Sequence, residues 1–159
     1  MFLGKSGEGK STISRILAKS GYEYMGDDLT FISKNDAGEI IVDSYLSKMK
    51  LLNKKQEAKD TIDIIKDENV KYTYQCKLGA VFRLRRVFQR TGSFLQPADS
   101  HSESFSWLMD SGNNIKIQYH PQLWMETCET GASVPSFILM FADKETFQPG
   151  MLSDITCKR

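Results

Sequence analysis

The chain has 159 residues, 40% of them apolar and 26% charged, with a net charge of +1. That length fits one domain able to bury roughly 70% of the surface its unfolded form would expose, and the near-neutral balance offers no bulk field for a nucleic acid or a membrane surface. The longest apolar run, Phe137 to Ala142, is far below the ~20 residues that span a bilayer, and three widely spaced cysteines, Cys76, Cys128 and Cys157, form no disulfide pattern and suit a reducing, cytoplasmic setting.

The chain opens on Met1-Phe2-Leu3, which reads as the end of a buried strand, and then runs through Gly4-Lys5-Ser6-Gly7-Glu8-Gly9-Lys10-Ser11-Thr12. The first eight of these nine residues satisfy G-x-x-x-x-G-K-[ST], the loop that cradles nucleotide phosphates. Glycines let backbone N–H groups close around phosphate oxygens, and the N-terminus of a following helix adds positive potential. Such a helix is expected over Lys10 to Ser20, with Ile13, Ile16 and Leu17 on one face and Gly21 as its stop. Within the motif, Lys10 is expected to reach the β and γ phosphates and the Ser11 hydroxyl to ligate Mg²⁺.

Asp27 and Asp28 follow at a distance that matters. The helix carries the chain about 16 Å away at 1.5 Å per residue, and Tyr22 to Gly26, if extended, brings it back about as far at 3.3 Å per residue. Both carboxylates then return level with the loop. Neighbours on a strand point to opposite sides, so one acid can serve the metal while the other takes a proton from an attacking hydroxyl.

Farther along, Leu29 to Ser33 and Glu39 to Tyr45 read as a hairpin turning at Asn35-Asp36-Ala37-Gly38. Leu46 to Glu68, rich in Lys and acids, is expected to be helix or a mobile charged connection with a solvated face. Val70 to Arg86 reads as one or two strands broken at Gly79, and Arg83, Arg85, Arg86 and Arg90 are candidates for a phosphate contact. A loop from Pro97 enters a helix reaching Met109, with Phe105, Trp107 and Leu108 inward; His120-Pro121 begins another, carrying Leu123, Trp124 and Met125 and stopped by Gly131. Neither His101 nor His120 has a partner at metal or triad spacing. Val134 to Ala142 makes a late, mostly buried strand.

The run G-K-S-G-E-G-K-S with its helix, then "SGYEYMGDD" and the apolar "LTFIS", resembles the catalytic domain of the HPr kinase/phosphorylase family, P-loop proteins akin to phosphoenolpyruvate carboxykinase. The resemblance is close over residues 1 to 33; "CKLGAVFRLRR" and "SVPSFILMF" fit the family's middle and late strands more loosely. It implies an α/β fold with a mixed sheet and flanking helices, the loop strand and helix at the sheet's edge, in a single domain over 1–159 that lacks its N-terminal strand or strands. The activity implied is transfer of the γ-phosphate of ATP, with Mg²⁺, to a serine hydroxyl of a protein or peptide. By position, Gly4, Gly7, Gly9 and Lys10 would hold phosphates, Ser11 and Asp27 the metal, and Asp28 would be the general base. A homo-oligomer is compatible with this reading, and neither nucleic acid nor membrane is an expected partner. Two other readings stay open: a small-molecule kinase sharing the loop, and a nucleotide-binding remnant without turnover.

Overall fold

The computed structural model describes residues 1–27, 30–44, 48–52, 59–87, 92–112 and 121–156. In chain order these form strand β1 (Phe2–Leu3), helix α1 (Lys10–Lys19), strands β2 (Phe31–Lys34), β3 (Ile40–Asp43), β4 (Lys48–Leu52) and β5 (Lys59–Asp63), and helix α2 (Ile64–Glu68). Strands β6 (Gln75–Lys77), β7 (Val81–Arg86) and β8 (Ser93–Pro97) follow, then helices α3 (His101–Gly112) and α4 (Pro121–Ala132), strand β9 (Ser136–Phe141), a 3-10 turn (Pro149–Leu152) and helix α5 (Ser153–Thr156).

The central sheet has the order β1-β7-β9-β8. β1, β7 and β9 run parallel, and β8 returns antiparallel to β9. A parallel strand covered on both faces needs apolar residues pointing both ways, and β7 has them: Val81, Phe82 and Leu84 are all buried. On one face Phe82, Leu84, Leu139 and Phe141 pack with Ile13 and Leu17 of α1 and with Phe147 and Leu152. On the other, Leu3 and Val81 meet Trp107 and Leu108 of α3 and Cys128 and Ala132 of α4. The mixed α/β arrangement with flanking helices, and β1 at one end of the sheet order, match the sequence expectation. Strand β8 had no counterpart in the sequence expectation, and Pro97, expected to open a loop, closes that strand.

A second sheet, β2-β3-β6, is antiparallel throughout. Its hairpin turns where Asn35-Asp36-Ala37-Gly38 was expected to turn, with Gly38 N–H donating to the Asn35 carbonyl at 2.9 Å and Asn35 N–H to the Glu39 carbonyl at 3.0 Å. Ile40 and Val42 drive it into the core shared with Trp107. Gly79 breaks the run as expected, since Cys76 pairs in this sheet and Phe82 in the central one.

Two expectations are corrected. Within the charged stretch 46–68, the described residues are not one helix: β4 and β5 pair antiparallel from Lys48↔Asp63 to Leu52↔Lys59, and of the described residues there only Ile64–Glu68 are helical. The alternation Lys48-Met49-Lys50-Leu51 has the strand period, which the surrounding charge obscures. Asp63 then starts α2 as a cap, accepting from Lys66 N–H at 3.3 Å. Gly131 does not stop α4, which continues to Ala132. A β-carbon there would lie 3.0 Å from Leu108 Cδ1, so this glycine permits the close approach of α3 and α4.

Helix α2 is tied to α1 by charge. Arg15 Nε donates to both Glu68 oxygens, at 2.6 and 2.8 Å, its Nη2 joins the same carboxylate, and Lys19 Nζ lies 3.3 Å from it. The Arg15 hydrogen bond holds the Glu68 carboxyl below its ordinary 4.5 despite partial burial. A depressed folded-state value stabilises the fold above the unfolded value, and that contribution is lost as pH falls through the folded one. Glu68→Gln should therefore cost about 1–2 kcal/mol at neutral pH and flatten the acid limb of the stability curve. Urea melts at pH 7 and below pH 4.5 check this; equal acid slopes for both proteins would remove the ion pair from the account.

Candidate functional site

Leu3 is buried at the end of β1, and the chain leaves it through a loop whose Gly7 and Gly9 have φ of 89° and 96°. Gly9 serves as the cap of α1 without any side-chain acceptor, so no cap side chain takes the first-turn N–H groups of the helix. Its backbone also lies against β9. A β-carbon on Gly9 would stand 3.1 Å from Phe141 Cζ, so glycine is required there both by conformation and by contact.

The loop holds itself closed. Glu8 N–H donates to the Lys5 carbonyl at 3.3 Å, and Lys5 N–H donates to Glu8 Oε2 at 2.6 Å. Lys10 folds back over the loop, its Nζ donating to the carbonyls of Gly4 at 2.7 Å and Lys5 at 3.0 Å. An ammonium in this position is poised above a ring of backbone groups, where it can exchange carbonyl oxygens for those of an anion. Lys5 and Ser6 are exposed, and Thr12 is half-buried in the first turn of α1.

Helix α1 ends at Lys19 with Ser20 as its cap, and Gly21, whose φ is 97°, turns the chain, with Tyr22 N–H donating back to the Leu17 carbonyl at 3.1 Å. The chain then returns extended. Tyr24 forms a parallel bridge with Tyr72, donating to the Lys71 carbonyl at 2.8 Å and accepting from Thr73 N–H at 2.9 Å. Three residues later Asp27 reaches Ser11, whose Oγ lies 2.9 Å from each carboxylate oxygen. The structure thus brings Asp27 level with the loop, as the chain-length argument requires. Asp28 lies outside the described residues.

A hydroxyl and one carboxylate side by side fit a Mg²⁺ ion, which keeps several waters and takes few protein ligands. They do not make a dedicated protein cage, and among the described residues no group of three or more His, Cys, Asp or Glu gathers around a point.

The other sequence candidates sort by position. Arg83 faces α3, with its guanidinium 5.9 Å from the Trp107 ring and 3.7 Å from Asp110. His101 lies 3.9 Å from Glu129, both exposed. Arg90 and His120 fall outside the described residues. Sequence reasoning missed the supporting role of Phe141, which closes an apolar run that signals only a buried strand, and the folding back of the Glu8 side chain, for which the sequence carries no signal.

No protein-family model matches the chain, and no curated protein matches it in sequence. Among solved structures it is similar to the HPr(Ser) kinase/phosphatase from Coxiella burnetii, with a TM-score of 0.50 and 11% identity over 97% of this chain and 82% of that one. At this identity what is shared is the fold.

Gly9→Ala meets both a left-handed φ and the Phe141 ring, whereas a β-carbon on Gly7 would have nothing within 4 Å. Gly9→Ala should cost about 1–3 kcal/mol of stability and Gly7→Ala less. Equal losses in denaturant melts would show that the Phe141 contact does not constrain the loop.

Proposed function

We propose that this chain is an ATP-binding kinase that transfers the γ-phosphate to a serine hydroxyl of a protein or peptide. The observation that carries the reading is the Ser11–Asp27 contact beside a glycine loop at the N-terminus of a helix whose cap, Gly9, brings no side-chain acceptor. The motif, its strand-loop-helix setting and the kinase/phosphatase named for the structural neighbour support it.

In this reading the backbone N–H groups of the Gly4 to Thr12 stretch and the first turn of α1 hold phosphate oxygens. Lys10 gives up the Gly4 and Lys5 carbonyls for the β and γ phosphates. The Ser11 hydroxyl and the Asp27 carboxylate would hold Mg²⁺, which would supply positive charge to offset that of the phosphates. Asp28, the next residue in the chain, takes the proton from the acceptor serine as its oxygen bonds to the γ-phosphorus and the bond to the bridging oxygen breaks.

Lys10→Ala should weaken MgATP binding by about 1.5–3 kcal/mol, the scale of a charge-assisted hydrogen bond, read by isothermal titration; a folded parent chain that takes up no MgATP would refute the reading. Asp28→Asn should leave MgATP affinity within about threefold while phosphoryl transfer to a serine peptide falls by roughly 10²–10⁴. Asp27→Asn should impair the Mg²⁺-dependent part of binding itself. Full transfer by Asp28→Asn would remove the base assignment.

A further inference from the structure

The carboxyl ends of parallel strands are where ligands approach open α/β sheets, and β7 ends there on an arginine that neither the loop motif nor the proposed roles employ. We infer that Arg86 is a catalytic residue whose guanidinium binds the terminal phosphate of the nucleotide; the inference rests on the nucleotide-binding reading above.

Height comes first. Leu3, the last residue of β1, is level with Arg83. β7 continues for Leu84, Arg85 and Arg86, so at about 3.3 Å per residue it rises roughly 10 Å past the point where β1 gives way to the loop. Arg86 therefore stands beside the loop, above its floor.

Face comes from alternation along the strand. Phe82 and Leu84 pack with Ile13 and Leu17 of α1, while Arg83 lies over Trp107 on the opposite face. Arg86 continues the face of Phe82 and Leu84, toward α1 and its loop, and Arg85 continues the face of Arg83. Phe141 calibrates the level independently: it is the register partner of Arg86, and its ring is the group that a β-carbon on Gly9 would meet. Since β7 lies between β1 and β9, Arg86 projects from between the loop-bearing strand and the strand that touches the loop.

Arg86 is also held in place. Its Nε donates to the Ala142 carbonyl at 3.3 Å, which fixes the root of the planar fork; such a fork matches phosphate oxygens two at a time. Lys10, the start of α1 and Arg86 then lie on the same face of the sheet, toward the same end of its strands. Like potentials brought together in this way favour an anion, and an oxygen-rich terminal phosphate suits them.

During transfer the bond from the γ-phosphorus to the β–γ bridging oxygen breaks, its electron pair staying with ADP. The bond to the serine oxygen forms, and the serine proton goes to the base. Arg86 makes and breaks no covalent bond; it offsets negative charge on the equatorial oxygens.

Isothermal titration of the full chain with MgATP and MgADP tests this, using the parent chain, Arg86→Ala, Arg86→Lys and Arg85→Ala, each checked by thermal melting. Arg86→Ala should weaken MgATP by about tenfold or more and MgADP by less than about twofold, Arg86→Lys should fall between, and Arg85→Ala should bind both as the parent does. An Arg86→Ala protein that binds MgATP like the parent, or loses ATP and ADP equally, overturns the assignment. If Arg86→Ala does not fold, Arg86→Lys carries the same test, and parent-like ATP affinity in it overturns the bidentate contact. A parent chain that binds neither nucleotide instead refutes the nucleotide-binding reading itself.

Discussion

The contact between Ser11 Oγ and the two oxygens of Asp27, each at 2.9 Å, is the constraint on which the rest of the site depends. It joins the first turn of a helix to a segment sixteen residues later, and it can form only if everything between has the right length. α1 must stop before Gly21, the chain must turn back on the Leu17 carbonyl, and Tyr24 must be pinned beside Tyr72. A longer helix or a looser return would leave the hydroxyl and the carboxylate apart, and the glycine loop would be an anion cradle without a neighbouring metal ligand.

The sheet supplies the other half of the constraint. Because β7 pairs in parallel with both β1 and β9 and buries Val81, Phe82 and Leu84, the strands are held in fixed register with β1, and the ring of Phe141 lies against the backbone of Gly9. The loop is then constrained twice, by α1, which it leads into, and by Phe141 of β9, which packs against Gly9. Within it, Lys10 already directs two of its three donors to the Gly4 and Lys5 carbonyls, so a ligand that displaces these must offer oxygens better matched than two backbone carbonyls. Phosphates, with full charge and several oxygens, meet that requirement where a neutral molecule would not.

Much of this was legible in the sequence where backbone chemistry leaves a residue-level mark. The spaced glycines, the apolar face of Ile13 and Leu17, the Gly21 stop and the Asn35–Gly38 turn each require particular residue types, and the structure places them as those requirements demand. Strands β4 and β5 were opaque because the lysines and acids around them resemble a solvated helix, while the alternation Lys48-Met49-Lys50-Leu51 is that of a strand. Gly131 misled for a different reason: a glycine near the end of a helical pattern signals a cap, but the same residue also suits a close helix crossing, and only the packing against Leu108 distinguishes them. The support from Phe141 and the strand β8 depend on which strands become neighbours, and no local pattern encodes that pairing.

Backbone hydrogen exchange at Gly4 to Thr12, followed with and without saturating MgATP, tests the central claim most directly, because it reads the loop amides themselves. If these amides close on phosphates, exchange across the loop and the first turn of α1 slows on adding MgATP, while the β2-β3 hairpin is unaffected. Unchanged exchange in the loop, with protection arising elsewhere or nowhere, would contradict the account.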